Sequence, residues 1–486
     1  MDVSPSSGAK LAARVARQIE AEVIAAGWPV GQIFGSEAEL MARFQVSRSV
    51  LREAIRLVEH HRVAVMRRGP AGGLVVQAPD ALPSAQALVI YLAHAHTTID
   101  DLISARLVLE PATAAMVART VTDNGIARLR AALEREATPP DFPGLELLDV
   151  SDELHVLLGE LSGNPVLALF IEVLTLLTRQ HTEARTGGRA VSEQASEAAR
   201  RTHRAIVEAT ASRDVTRAEQ LLAAHLSALG MWLREDVQQN GHLRQAGGVA
   251  AGSRHNQLKL AEVVADRIQR NIAREMLAEG DLIGTEQELM NRYGISRAVL
   301  REAVRLLEYH SISEMRRGPA GGLYVTRPTP DASIEAITLY LEYQGIDAQS
   351  LRAVRNIIEL GCIDSVVARR NVDGVARRLR ATVCARPATP DAMLEEVGFE
   401  FHADLGRLTG NPVLALFLQI VTAITARLFN PPTGVASAPE RRAFANEIDL
   451  AHRGIAEAIL IGDTAVAKRR MMLHLDSAPA DWWQLT

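Results

Sequence analysis

Cysteine is nearly absent from this chain: 486 residues carry two, Cys362 and Cys384. Both fall in the second half, so no disulfide framework repeats along the sequence, and a reducing, cytoplasmic setting is expected. Aromatic residues make up only 4%, while Ala, Leu and Arg abound, which favours helices over sheets. No run of roughly 18 apolar residues occurs, so no membrane span is expected. Met1–Lys10 is polar and short, without the apolar stretch of a secretion signal. A net charge of −5 argues against wholesale coating of nucleic acid but is compatible with a local basic surface.

What is present is a duplication. Residues 11–233 align with 260–482, offset by 249 residues at both ends and 247 in a short middle stretch. Met66 to Leu74 recurs unchanged as Met315 to Leu323, and Gly163 to Phe170 as Gly410 to Phe417. Each copy is large enough to own a core, so this is a fused whole protein and not a solenoid. Proteins that need two copies of themselves usually act as symmetric dimers, so this chain is expected to carry its partner within itself. Breaks in composition divide it into a flexible tail (1–10), a small domain (11–80), a helical domain (84–236) and a polar, Gly-rich linker (238–257). A second small domain (258–329) and a second helical domain (332–478) follow.

In the small domain Leu11, Val15, Ile19 and Val23 form a helical stripe. Ser36-Glu37-Ala38-Glu39 has the pattern of a capping box, repeated as Thr285-Glu286-Gln287-Glu288. After a short turn at Phe44-Gln45-Val46, Ser47 caps a third helix from Arg48 to about His60. Two short helices across a tight turn make a helix-turn-helix. Val63–Met66 and Leu74–Val76 then flank a basic, glycine-rich tip, which reads as a β-hairpin. The expected fold is mainly α: two winged helix-turn-helix domains with a small β wing, each followed by an all-α antiparallel bundle.

The third helix presents Ser47, Arg48, Ser49 and Arg52 near its N-terminus, and Arg48 and Arg52 share a face. Helix N-termini favour phosphate, and Arg can take guanine O6 and N7 together. Arg67 and Arg68 sit in the wing; the second copy offers Ser296, Arg297, Ala298 and Arg301, with Arg316 and Arg317. These residues point to double-stranded DNA, against the alternative of a solvated basic face.

Ser36–Val76, and above all Val46 to Ala54, resembles the DNA-binding domain of GntR-family bacterial transcription regulators. The helical domain resembles the FCD ligand-binding domain of the FadR subfamily. The resemblance implies that Arg48, Arg52, Arg297 and Arg301 read bases and that the wing arginines support binding. Many members place an Arg where this chain has Ala38 or Gln287, so contacts from that point are not implied. It further implies a small-molecule effector, an organic acid or an acyl-CoA-like metabolite, with Arg106 and Arg355 as its acid-binding residues. Arg106 could equally pair with Glu110 one turn on, as Arg355 could with Glu359.

Three histidines recur in each bundle: His155, His203 and His225, matched by His402, His452 and His474. Asp214 lies eleven residues from both His203 and His225, and Asp463 divides His452 from His474 the same way. If the turn between antiparallel helices falls there, each pair sits at one level of its bundle. Three converging imidazoles suit a divalent metal, zinc first; three unrelated core histidines are the plainer alternative. Metal-binding FCD domains add an Asp one turn before the first His, where this chain has Ser151 and Gly398. Asp152 could substitute in the first copy, which makes that copy the stronger expected site.

The reading is thus a cytoplasmic DNA-binding regulator, a repressor acting as a single-chain pseudo-dimer on a near-palindromic operator, and not an enzyme. A metal-dependent hydrolase or isomerase using the histidines is the competing function, and a second copy that has lost effector binding is a third reading. Whether two tandem chains pair into a homodimer is left open by the sequence.

Overall fold

The computed structural model describes residues 7–79, 88–137, 146–186, 193–239, 260–326, 331–384, 398–428 and 438–477, apart from positions 68, 70, 71, 90, 93, 94, 96, 276, 310, 311, 317, 319 and 320. The linker expected at 238–257 lies almost wholly outside the described residues. It divides into two units. One holds residues 1–84 with 335–347 and 484–486; the other holds 85–334 and 348–483.

The first unit is built on α1 (Ser7–Ala25), β1 (Ile33–Gly35), α2 (Glu37–Phe44), α3 (Arg48–His60), β2 (Ala64–Arg67) and β3 (Gly73–Val76). Helix α1 begins at Ser7, within the tail expected at 1–10; the rest of that segment lies outside the described residues. The expected capping box forms: Glu39 N–H donates to Ser36 Oγ at 3.3 Å and Ser36 N–H donates to Glu39 Oε2 at 2.8 Å. That satisfies two amides that have no partner within the helix. The α2–α3 turn passes through Gln45 in the left-handed region, φ 52°. Val15, Ile19 and Val23 of α1 close over Leu51, Ile55 and Val58 of α3, which leaves the other face of α3 to solvent. The wing is a three-stranded antiparallel sheet, order β1-β3-β2, with Val65 opposite Val75 and Arg67 opposite Gly73. Strand β1 was not expected. Gly73 is required beneath it, since a Cβ there would lie 2.8 Å from the Gly35 carbonyl oxygen.

The second unit repeats this domain as α10 (Leu260–Glu275), β4 (Leu282–Gly284), α11 (Glu286–Tyr293), α12 (Arg297–Tyr309), β5 (Ser313–Arg316) and β6 (Gly322–Val325). It also holds the first bundle: α4 (Ile99–Thr120), α5 (Asp123–Ala137), α6 (Glu146–Leu161), α7 (Pro165–Thr186), α8 (Glu193–Ala211) and α9 (Val215–Gln239). The second bundle comprises α14 (Ala348–Arg369), α15 (Val375–Cys384), α16 (Gly398–Leu408), α17 (Pro412–Leu428), α18 (Ala438–Ile461) and α19 (Thr464–Asp476). The turn expected at Ser212–Asp214 is present, with Arg213 at φ 59° and its counterpart Gly462 at φ 85°.

One helix departs from the expected division. By sequence, helix α13 (Asp331–Tyr343) falls in the second helical domain expected at 332–478. From Glu335 on it belongs instead to the first unit. Leu339, 1% exposed, enters the core of the first small domain, and Tyr343 meets Trp28 edge to face with ring centroids 5.3 Å apart. The second copy therefore completes the core of the first copy's winged helix.

The two bundles pack on each other. Phe170 of α7 and Phe417 of α17 stack, with centroids 3.9 Å apart and planes 9° from parallel. Asn164 Nδ2 donates to the Ser350 carbonyl and Asn411 Nδ2 donates to the Asp101 carbonyl, the same bond made from each side. Helices α4 and α14 approach closely where Gly361 faces Val108; a Cβ there would fall 2.6 Å from a Val108 methyl.

Candidate nucleic-acid interface and histidine centres

Helix α3 starts on Ser47, whose Oγ accepts from Val50 N–H at 3.4 Å and lies 3.0 Å from Ser49 Oγ. Ser47, Arg48, Ser49 and Arg52 are all exposed, as are Ser296, Arg297, Ala298 and Arg301 in α12. The face away from the core thus carries every base-reading residue expected from the sequence. What the sequence reading missed is the carboxylate behind the arginines. Glu37, the first residue of α2, accepts from Arg48 Nε at 3.2 Å and Nη2 at 3.1 Å, and from Arg52 Nε at 2.8 Å. Glu286 does the same for Arg297 at 2.8 and 2.7 Å, with Arg301 Nε at 3.6 Å. These hydrogen bonds hold both carboxyls below the ordinary carboxylate range. Its only signal in the sequence was an acid at the first turn of α2, which reads equally well as dipole compensation.

In the wings Arg67 and Arg316 are exposed strand-end residues, while Arg68 and Arg317 lie outside the described residues. The second wing differs from the first. Arg316 pairs with Glu314 and lies 4.5 Å over the Tyr324 ring. Val65 and Val75 occupy those two places in the first wing.

In the first bundle His155, His203 and His225 converge, each offering a nitrogen within 4.8 Å of the others. His203 and His225 face each other across 3.2 Å between Nε2 atoms, as the equal spacing from Asp214 anticipates. Two nitrogens on one tetrahedral zinc are about 3.3 Å apart, given Zn–N near 2.0–2.1 Å. The other ring nitrogens are engaged by buried carboxylates: His155 Nδ1 with Glu110 at 2.5 Å and His203 Nδ1 with Glu136 at 2.9 Å. This fixes the rings with Nε2 toward the centre, the arrangement that orients imidazole ligands in metal sites. Burial lowers the pKa of His155 despite the opposing pull of Glu110. Burial and the neighbouring histidines lower that of His225 well below its ordinary value. Both are therefore neutral, with lone pairs available. Asp152 is half-buried on α6 but is not among the converging groups, so the expected fourth ligand is not supplied by that residue.

The second bundle repeats the triad with changes. His474 Nε2 lies 3.2 Å from His402 and 3.0 Å from His452, and His402 Nδ1 meets Glu359 at 2.5 Å. Burial holds all three histidines low, His474 at about 3. Here Phe401 stacks on His452 at 4.1 Å, where the first copy has Leu154.

Arg106 joins the first centre through Glu110, donating from Nε to Oε1 at 2.5 Å. The residue is wholly buried, and among the described residues its Nη1 and Nη2 have no hydrogen-bond partner. Glu110 would be raised by burial, but Arg106 and His155 overcome this and hold it at about 2. In the second copy Arg355 Nε donates to Glu359 at 2.6 Å, yet burial prevails and Glu359 is raised. The Arg–Glu pair foreseen as an alternative to effector binding is thus present in both copies. In the first it still leaves two guanidinium nitrogens unspent.

The chain is similar to the HTH-type transcriptional repressor NanR of Cronobacter sakazakii, 27% identical over 233 residues, covering 47% of this chain and 87% of that protein. It is 26% identical to the protein of the same name from Salmonella newport over 234 residues, 47% and 86% of the two chains. Among solved structures, a Streptococcus agalactiae GntR protein aligns at 20% identity and TM-score 0.36, covering 46% of this chain and 99% of that one. No helix among the described residues is long and apolar enough to cross a membrane. The family model for bacterial regulatory proteins of the gntR family matches residues 11–72 and 260–322, and that for the FCD domain matches 101–228 and 350–477. The chain therefore belongs to the GntR family of transcriptional regulators and carries the family's DNA-binding and FCD domains twice.

Proposed function

We propose that one chain acts as a pseudo-dimeric cytoplasmic repressor, reading a near-palindromic DNA site with α3 and α12 under control of an anionic metabolite. The observation that carries the pseudo-dimer is the reciprocal packing of the two bundles: the paired phenylalanines and the matched Asn164 and Asn411 bonds. A two-fold homodimer would use the same contacts on both sides. Repression is carried over from the similar proteins, which are named as repressors.

The unspent Arg106 nitrogens support a carboxylate-bearing effector in the first bundle, since a buried guanidinium without partners is costly until an anion meets it. Each histidine triad would hold a divalent ion, zinc by donor type and spacing, leaving a coordination position for that effector. When bound, the ion would supply a second positive anchor for a carboxylate or hydroxyl. The effector would bias the relation of the two reading heads by binding one arrangement more tightly than the other. A hydrolase is less well supported. It would need a general base beside the metal, and Glu110 and Glu359 are each committed to an Arg and a His Nδ1.

The test is selection of the full chain on a random-sequence duplex library. The expected result is a short site of two similar half-sites; recovery of no preferred sequence would overturn the proposal.

A further inference from the structure

We infer that Glu37 and Glu286 are positioning residues for base readout, holding Arg48 and Arg297 in the pose that reads guanine. The inference rests on the DNA-reading function proposed above. The geometry is the same in both copies. Arg48 presents its side edge, Nε and Nη2, to the two oxygens of Glu37 at 3.2 and 3.1 Å. Arg297 presents the same edge to Glu286 at 2.8 and 2.7 Å. A guanidinium carries five N–H donors in a rigid plane. Two are used by the carboxylate. The end edge, one N–H from each terminal nitrogen, stays available and matches the O6 and N7 acceptors of guanine. The arginine heads are 65% and 63% exposed, whereas their carboxylates are 27% and 31% exposed. The carboxylate therefore backs the arginine, which faces outward.

The physical consequence is specificity. A long side chain on an exposed helix face loses rotamer freedom when it binds, and a fork already fixed in its plane loses less. A carboxylate at this place also disfavours phosphate nearby, so a loosely placed backbone contact by the same arginine is penalised. Glu37 further collects Arg52 Nε at 2.8 Å, and Glu286 has Arg301 at 3.6 Å. One acid thus sets the spacing of both reading arginines on each helix.

The experiment is library selection with the full chain as wild type, Glu37→Gln and Glu286→Gln, with thermal unfolding as a fold control. Gln keeps the shape but accepts through only one oxygen. Each variant is expected to lose guanine preference by roughly tenfold in one half-site and to keep it in the other. Total affinity on non-selected duplex should be unchanged or higher, since a negative charge near phosphate has gone. Unchanged guanine preference in both half-sites would overturn the inference, and so would equal weakening on every sequence by a folded variant. If wild type itself selects no sequence, the DNA-reading function has failed; if only the variants match wild type, this inference alone has failed.

Discussion

Phe170 and Phe417 lie face to face, with ring centroids 3.9 Å apart, and each is fully buried. They are the same residue of the repeat, brought together across the two bundles. Phe417→Ala is expected to destabilise the chain by about 3–5 kcal/mol, the usual loss for a buried Phe. Because the pair shares one contact, Phe170→Ala with Phe417→Ala should cost less than the sum of the two. Denaturant unfolding of the three variants measures this. Additive losses would mean that the rings do not meet.

Leu339 belongs by sequence to the second copy and by packing to the first winged helix. Leu339→Ala should therefore weaken amide protection across 11–76 and leave 260–325 unchanged, with a loss of about 2–5 kcal/mol in the affected domain. Hydrogen exchange followed by fragment analysis reads both regions at once. Loss of protection in 260–325 instead would place α13 on its own copy's domain.

The two histidine centres should differ in metal affinity, the first being tighter. In the first centre His203 is held by Glu136; in the second, Phe401 stacks on His452 instead. Glu136→Gln is expected to reduce affinity at the first site by about 10–100-fold. His203→Ala should remove the tighter ion, and His452→Ala should change metal content less. Elemental analysis of protein purified without chelator decides: two equally tight ions per chain contradict the asymmetry, and none under metal-replete conditions contradicts the sites.

Acid should destabilise the metal-free chain. The folded pKa of His474 is depressed to about 3 from an ordinary 6.5, by burial and then by the charges of His402 and Arg355. Below pH 6.5 the unfolded chain binds a proton that the folded chain refuses, so stability falls as pH drops, by up to about 1.4 kcal/mol per unit for such a group. With chelator present, the unfolding midpoint should decline from pH 7 to 5, and His474→Gln should flatten that decline. A pH-independent midpoint would contradict it.

Arg52→Ala and Arg301→Ala should each weaken specific binding by about 1–3 kcal/mol and relax one half-site. Arg67→Ala should weaken all sequences alike and flatten the salt dependence. Arg316→Ala should do the same to a smaller extent, since Glu314 and Tyr324 already engage that side chain. Competition titrations at several salt concentrations separate the two classes.

Much of this was legible from residue order because local chemistry dictated it. The Ser36–Glu39 and Thr285–Glu288 boxes fixed the start of α2 and α11, Ser47 fixed the start of α3, and the equal spacing about Asp214 placed His203 beside His225. What stayed hidden depended on distant partners. Strand β1 is three residues long, too short to show alternation. The apolar side of α13 announces burial but not that its partner is the first copy. Glu136 has no acidic counterpart in the second copy, so the repeat gave no hint of it, and Asp152 was placed by spacing along a helix whose rotation spacing alone could not fix.

The central claim is that one chain supplies both reading heads. Native mass spectrometry of the full chain with its selected duplex, at nanomolar protein, tests it most directly. The account predicts one chain per duplex with both half-sites protected from cleavage; two chains per duplex, with each chain protecting a single half-site, would contradict it.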